Sequence, residues 1–269
     1  MNNPGLFSLP NWIVVIILGT VEGLTEFLPV SSTGHLLIAE HWLASHQSDL
    51  FNIVIQIGAV LAVIPLFWQR IEMLMRWNEP ASRVLNLKIF VAFVITCIGG
   101  LVLKKLGLKL PEAVQPIAIA LIIGGIIFIV VEAVARGHRR SDFISWPVVI
   151  AVAIGQLIAA AFPGSSRSGS TIMLAMILGA SRVSATEFSF LVGIPTMLAA
   201  GSLEVVDHLG KGETENWFLL VLAAVTAAVV SFIAVKWLLR YVQSHTFIGF
   251  GVYRIVFGFL LLWLLRPGS

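Results

Sequence analysis

Charged residues are scarce in this chain. Only 12% of its 269 residues are Asp, Glu, Lys or Arg, and 58% are hydrophobic, whereas soluble domains have about 25% charged and roughly 45–50% apolar residues. This composition excludes an ordinary soluble domain and predicts a polytopic membrane protein. The net charge is only +3, with basic residues scattered through short loops, so we expect no nucleic-acid partner.

Cysteine is almost absent, and the chain's start has no basic residue. Cys97 is the single cysteine, which excludes an internal disulfide. The first twelve residues, MNNPGLFSLPNW, have no Lys or Arg ahead of an apolar stretch. We therefore do not expect a cleaved signal peptide here.

Long apolar segments make up most of the chain. A bilayer crossing takes about 20 apolar residues, and six segments meet this length, at 50–68, 88–104, 114–134, 187–206, 217–237 and 247–265. Regions 12–43 and 146–180 differ, because each is interrupted by a proline and small polar residues between two short apolar arms. Irregular backbone at membrane depth must lie within protein or beside a watery cavity. We predict a single all-α, polytopic integral membrane domain over 1–269, with about six transmembrane helices and two broken re-entrant helical hairpins.

The two interruptions resemble each other. PVSSTGH (29–35) aligns with PGSSRSG (163–169), and three spans follow each. Three residue pairs match: Pro29 with Pro163, Ser31 with Ser165, and Ser32 with Ser166. Because three is odd, the second half must be upside down relative to the first. The pattern predicts an inverted-topology repeat, with halves at approximately 1–135 and 136–269 and a site where the two interruptions meet.

Basic residues indicate the orientation. Ten Lys or Arg lie in 69–88, 135–142, 181–186 and 236–246, against five in 104–113, 207–216 and the C-terminus. The positive-inside rule places the first group in the cytoplasm. Both chain ends and the mouth of the first hairpin then face outward.

Two acids precede the first interruption. Glu22 and Glu26 are four residues apart, so a helix presents both on one face. An ionised carboxylate at mid-membrane costs about 2.5–3.5 kcal/mol, so the pair predicts a cation or a bound proton as partner. Two carboxylates with phosphate oxygens are a usual magnesium site, which favours a divalent cation. Protonated acids, or acids near the surface, are the alternative.

Hydroxyl residues follow both interruptions, where new helices are expected to begin. They are Ser31, Ser32 and Thr33 in the first region and Ser165, Ser166, Ser168 and Thr171 in the second. A helix N-terminus offers free N–H groups to a phosphate. Arg167 adds a guanidinium that can bind phosphate oxygens in bidentate fashion; a loop arginine that reaches the membrane surface is the alternative.

Histidine and further arginines complete the candidates. His35 lies three residues after Ser32, and an imidazole that titrates near neutral pH suits deprotonation of Ser32 or protonation of a leaving oxygen. A structural histidine is the alternative. Arg254 is expected to extend to the membrane surface, and Arg182 with Glu187 to form a local charge pair.

Two long motifs, EGLTEFLPVSSTGH (22–35) and FPGSSRSGST (162–171), closely resemble the signatures of the undecaprenyl-diphosphate phosphatase family, membrane proteins associated with bacitracin resistance. The likeness runs nearly end to end and includes SRVSATEFSFLVGIP (181–195). It implies hydrolysis of undecaprenyl diphosphate to undecaprenyl phosphate and inorganic phosphate, which recycles the lipid carrier of cell-wall polymers. It also implies an inverted-repeat fold, a divalent cation such as Mg²⁺ or Ca²⁺, and a pocket open to the outer face of the bacterial inner membrane.

The resemblance carries roles over by position. Glu22 and Glu26 match the acidic pair, Ser32 the nucleophile, His35 the motif histidine, and Ser166 with Arg167 the phosphate-binding turn. A phosphoserine intermediate and direct attack by an activated water both remain open, as does a homodimer. The rival function is a lipid flippase or transporter, because inverted repeats with broken helices are a transporter architecture. A lipid acid phosphatase is disfavoured, since no HxxxD follows Arg167.

Overall fold

The computed structural model describes residues 9–106, 114–135, 140–209 and 216–264. Eleven α-helices make up these ranges, with the 3₁₀ turn Ile64–Phe67 between α3 and α4. The helices are α1 (Asn11–Thr25), α2 (Ser32–Leu43), α3 (Asp49–Val63), α4 (Trp68–Met75), α5 (Pro80–Lys105), α6 (Val114–Ala135), α7 (Trp146–Ala161), α8 (Arg167–Ile177), α9 (Arg182–Leu209), α10 (Trp217–Ser244) and α11 (Ile248–Leu264). The all-α prediction is confirmed.

Five helical stretches are long and apolar enough to cross a membrane. They are Asp49–Met75, Pro80–Lys105, Val114–Ala135, Arg182–His208 and Trp217–Ser244, and they match the first five predicted spans. The sixth predicted span, 247–265, corresponds to α11, which is apolar but has only 17 residues. The protein is therefore a multi-pass membrane protein by the length and composition of its helices.

Both predicted interruptions are helix breaks. The chain leaves α1 at Thr25 and starts α2 at Ser32, and it leaves α7 at Ala161 and starts α8 at Arg167. The four helices beside the breaks have 15, 12, 16 and 11 residues. Each is shorter than the roughly 20 residues of a full crossing.

Small residues let the helices approach closely, as is common in membrane proteins. A Cβ at Gly19 of α1 would lie 2.5 Å from the Ala223 carbonyl oxygen, and one at Gly58 of α3 would lie 2.6 Å from that of Ala224. Both glycines therefore contact the backbone of α10. The main hydrophobic core joins α1, α3, α7, α8, α9 and α10, and a smaller one joins α2, α6 and α11.

The predicted local charge pair of Arg182 with Glu187 is wrong. Arg182 instead binds Glu132, with Nε–Oε1 at 2.8 Å and Nη2–Oε2 at 2.6 Å, and Glu187 binds Arg70 at 2.7 Å. Residues five apart on a helix point about 140° away from each other, so the two side chains of α9 face different neighbours.

Two sequence predictions concern residues outside the described ranges. The signal-peptide prediction concerns mostly residues 1–8, which lie outside the described residues. Part of the charge count does too, because it includes Lys109, Arg136, Arg139, Lys211 and Arg266.

Candidate active site

The first break begins with the two acids. Glu22 lies in the last turn of α1 and is only 2% exposed, and the Glu26 N–H still donates to the Glu22 carbonyl at 2.9 Å. Both carboxylates are therefore directed from the same helix end. Among the described residues, Glu22 Oε2 is buried and has no hydrogen-bond partner, which leaves a buried acceptor to be satisfied.

The candidate nucleophile contacts one of these acids. Ser31, with a φ of 74°, ends the first break, and Ser32 starts α2. The Ser32 hydroxyl donates to Glu26 Oε2 at 2.7 Å. A carboxylate that accepts a hydrogen bond from a hydroxyl in this way can serve as the general base for that hydroxyl.

The second break has the same backbone feature. Its last residue, Ser166, has a φ of 67° and caps α8 by accepting a hydrogen bond from the Gly169 N–H at 3.2 Å. Matching the two positive-φ caps pairs Ser31 with Ser166 and Ser32 with Arg167. The sequence alignment differs by one residue, because the second turn has one more residue between its proline and its cap.

The two breaks meet through Arg167. Its Nη2 lies 3.4 Å from Glu26 Oε1, and both side chains are buried, at 14% and 5% exposure. Nε and Nη1 of Arg167 are buried without a hydrogen-bond partner among the described residues. These two N–H groups remain to bind an anion, while Glu26 connects the guanidinium to Ser32.

His35 lies beside the site but does not contact Ser32. Its Nδ1 donates to the Ser31 carbonyl at 2.7 Å, so the ring carries its proton there, and Nε2 accepts from the Tyr253 hydroxyl at 2.7 Å. The ring also stacks on Phe257, with centroids 4.0 Å apart. Both ring nitrogens are used, which makes Glu26 the better-placed base for Ser32.

The other predicted hydroxyl residues divide into two groups. Thr33 is exposed in the first turn of α2, and the Ser165 hydroxyl is buried without a partner among the described residues. Ser168 instead donates to the Leu28 carbonyl at 3.1 Å, and Thr171 donates to that of Arg167 at 2.8 Å. The Ser168 hydroxyl therefore links α8 to the first break, whereas the Thr171 hydroxyl bonds within α8.

Sequence reasoning missed two residues of α11. Tyr253 binds His35, and Arg254 is not exposed at all. The prediction that Arg254 reaches the membrane surface is wrong: its N–H groups donate to carbonyls that the helix breaks leave without intrahelical partners. Neither residue belongs to a motif, and a tyrosine followed by an arginine inside an apolar span is their only sequence signal.

The acid pair fits a cation that the substrate helps to bind. Across 9–106, 114–135, 140–209 and 216–264, no group of three or more His, Cys, Asp or Glu could hold a metal ion. Glu22 and Glu26 nevertheless offer two buried carboxylates, one with an unsatisfied oxygen. Such a pair suits Mg²⁺, which binds through one or two carboxylates together with phosphate oxygens.

The fold and the site together define a class: a multi-pass helical membrane protein with a buried carboxylate, hydroxyl and guanidinium where two helix breaks meet. Residues 15–260 match the family model described as Bacitracin resistance protein BacA. The chain belongs to this family.

Its relatives share most of their length with it. The undecaprenyl-diphosphatase of Rhizobium johnstonii is 52% identical over 96% of this chain and 98% of its own. Those of Xylella fastidiosa (strain 9a5c) and Xanthomonas oryzae pv. oryzae are each 50% identical, over 93% and 94% of this chain and 97% of their own lengths.

Proposed function

We propose that the protein is an undecaprenyl-diphosphatase, which hydrolyses undecaprenyl diphosphate to undecaprenyl phosphate and inorganic phosphate. Relatives of this name are 50–52% identical over nearly the whole chain. The observation that carries the proposal is the chain of contacts from Ser32 through Glu26 to Arg167. It supports the proposal because a candidate nucleophile, a candidate base and a cation that could bind an anion then lie within one buried site.

In the first step, Ser32 Oγ attacks the terminal phosphorus and its proton passes to Glu26. The new Oγ–P bond forms as the bond to the bridging oxygen breaks, and undecaprenyl phosphate leaves with that oxygen. Water then attacks the phosphoserine as the Oγ–P bond breaks, and Glu26 returns the proton to Ser32 Oγ. Both hydrogens of the water leave with the inorganic phosphate. Direct attack by a water that Glu26 deprotonates is the competing route, because the same carboxylate could serve either nucleophile.

Positive groups neutralise the diphosphate. Nε and Nη1 of Arg167 have no partner among the described residues, and the N-termini of α2 and α8 both begin at the site. Free N–H groups and a positive partial charge at these ends suit phosphate oxygens. Catalysis of phosphoryl transfer depends mainly on such positioning and charge stabilisation.

Glu22 and Glu26 would hold a divalent cation, Mg²⁺ or Ca²⁺. When bound, such an ion neutralises negative charge on the transferring phosphoryl group. The unsatisfied Glu22 Oε2 supports this assignment. We expect a chelator to abolish phosphate release and either ion to restore it.

The fold around the site is proposed to be an inverted-topology repeat. Each half has a break between two short helices, followed by three predicted spans, and both breaks end in a serine of positive φ. We propose that the hairpins are re-entrant and that the site opens to the outer face of the bacterial inner membrane, in line with the charge asymmetry of the loops.

An apolar groove suits the prenyl chain of the substrate. It has a volume of about 520 Å³ and lies between α6, α7 and α8. Ile119, Ile123 and Ile127 of α6 line one wall, and Ser165 brings the groove to the second break. The groove therefore joins an apolar surface to the turn before Arg167, as a lipid with a diphosphate head requires.

Phosphate release from undecaprenyl diphosphate by the purified protein tests the activity. Ser32→Ala should lower kcat by a factor on the order of 10⁴ if serine is the nucleophile, and an acid quench with labelled substrate should trap label on the parent protein. Ser184→Ala is the matched control, because Ser184 also donates to a carboxylate, Asp142, at 3.1 Å but lies away from the breaks.

Two results would redirect the proposal. Full phosphate release by Ser32→Ala with no labelled protein would favour the activated water. No release by the parent protein, with lipid transport across liposomes that survives Ser32→Ala and Arg167→Ala, would favour the flippase.

A further inference from the structure

Arg254 is a fully buried cation, and its hydrogen bonds to the described residues all go to backbone carbonyls. From α11, Nε donates to Leu121 at 3.4 Å and Nη1 to Pro29 at 3.3 Å. Nη2 lies within reach of three carbonyls, those of Ala120, Gly164 and Ser165, at 3.3, 3.2 and 3.0 Å. One guanidinium therefore connects α6 and both helix breaks.

This set of partners is unusual for a buried charge. Buried charges are normally paired with an opposite charge, yet the contacts of Arg254 are neutral carbonyls. Arginine can donate to so many acceptors at once because its planar guanidinium carries five N–H donors. Burying it unpaired is costly, which indicates a role beyond packing.

The contact with Ser165 orients the peptide group that leads into α8. In a planar trans peptide the C=O and N–H point in opposite directions. Because the Ser165 carbonyl points toward Arg254, the Ser166 N–H points away from it. The first N–H groups of α8, at Arg167 and Ser168, follow directly and have no intrahelical acceptor. Successive N–H groups in such a turn form an anion-binding concavity.

We propose that Arg254 is a positioning residue for phosphoryl transfer: it holds both breaks together and sets the peptide before α8 so that its N–H groups face the phosphate. The inference rests on the proposed function, because it assigns those N–H groups to the transferred phosphoryl group. Arg254 itself stays behind the turn and does not touch the substrate.

Gly124→Ala tests this role without removing any charge. A Cβ at Gly124 would overlap Nη2 of Arg254 and lie 2.7 Å from its Cζ, so the guanidinium must move. We expect kcat to fall at least roughly ten-fold and the inhibition constant for inorganic phosphate to rise by a similar factor, since donors aimed at developing charge contribute about 10²–10³ each. Gly100→Ala is the control, because a Cβ there meets nothing within 4 Å.

The phosphate inhibition constant separates this effect from loss of prenyl binding, since Gly124 also lines the apolar groove. Unchanged kcat and unchanged phosphate inhibition in Gly124→Ala would overturn the proposal. The absence of phosphate release by the parent protein would instead contradict the proposed function.

Arg254→Lys provides a second test. Lysine keeps the positive charge but cannot reach five carbonyls on three elements, so we expect kcat to be at least roughly ten-fold reduced even at temperatures well below the variant's own thermal midpoint. Arg182→Lys is its control, because Arg182 is a half-buried arginine with a structural partner, Glu132. Full kcat in Arg254→Lys, or an equal loss in Arg182→Lys, would contradict a positioning role.

Discussion

The two helix breaks end in the same backbone conformation but differ in the charge of their side chains. Each ends in a serine of positive φ that precedes a short helix. The first break supplies the carboxylate of Glu26 and the hydroxyl of Ser32, whereas the second supplies the guanidinium of Arg167 at the position that matches Ser32. The comparison supports the proposal that the first break supplies the nucleophile and the second break binds the anion.

The same difference in charge is found one helical turn before each break. Glu22 precedes the first break, and Gln156 is its counterpart in the alignment of the two halves. Gln156 is neutral, and its amide donates to the Thr96 hydroxyl at 3.0 Å. Of the two interrupted regions, 12–43 and 146–180, only the first therefore has carboxylates, which is where the proposed cation would bind beside Ser32.

After that of Ser32→Ala, the largest expected effect comes from changing the cation of the second break. Arg167→Lys keeps the charge but loses the planar fork, so kcat/KM should fall by about 10²–10³. Phosphate release by purified protein measures it. Arg70→Lys is the control, because Arg70 pairs with Glu187 at 2.7 Å elsewhere. Near-parental activity of Arg167→Lys would mean that a positive charge without the planar fork is enough to bind the phosphate. The second break would then be less specialised for anion binding than we conclude.

A smaller effect is expected from filling the groove beside the second break. Ile123→Trp should raise KM for undecaprenyl diphosphate roughly ten-fold, because the larger side chain occupies space meant for the prenyl chain, but leave a short-chain prenyl diphosphate nearly unaffected. Comparing the two substrates measures this.

Ile126→Trp is the matched control for the groove, since Ile126 is exposed on the same helix and does not line it. Equal losses for both substrates, or equal effects of both tryptophans, would place the prenyl chain elsewhere.

The smallest expected effect concerns the strained serines. Glycine adopts positive φ without the cost of about 1 kcal/mol that other residues incur. Ser31→Gly should therefore raise stability slightly, while Ser166→Gly should gain less, because only Ser166 accepts a capping hydrogen bond, from Gly169. Thermal unfolding of the two variants in detergent measures the difference. A larger gain for Ser166→Gly would show that its cap contributes nothing.

Much of the architecture follows from local sequence patterns. Long apolar runs predicted six spans, of which five are membrane-length helices and the sixth is the 17-residue α11. Each proline followed by serines predicted a break in a helix, because these signals act through neighbouring residues. The aligned motifs also identified Glu26, Ser32 and Arg167, which the structure brings together. The register of the second motif was one residue off, since equal spacing from a proline does not ensure equal turn length.

The long-range partners were not predictable in this way. His35 was predicted to deprotonate Ser32 or to protonate a leaving oxygen, with a structural role as the alternative, and its ring bonds to Ser31 and to Tyr253, 218 positions away in the chain. Arg254 was expected at the surface, and Arg182 was paired with the wrong acid. The contacts of His35 with Tyr253, of Arg254 and of Arg182 join distant elements, about which sequence spacing carries no information.

By itself, the sequence determined that the chain is a helical membrane protein and where its helices are interrupted, because hydropathy and helix-breaking residues act locally. It also identified the acids, hydroxyls and arginine of the proposed site as candidates. Only the tertiary structure decided that Glu26 rather than His35 contacts Ser32, and that Arg254 holds both breaks. The reason is physical: a buried donor must bind whichever acceptors the packed helices bring within about 3 Å of it.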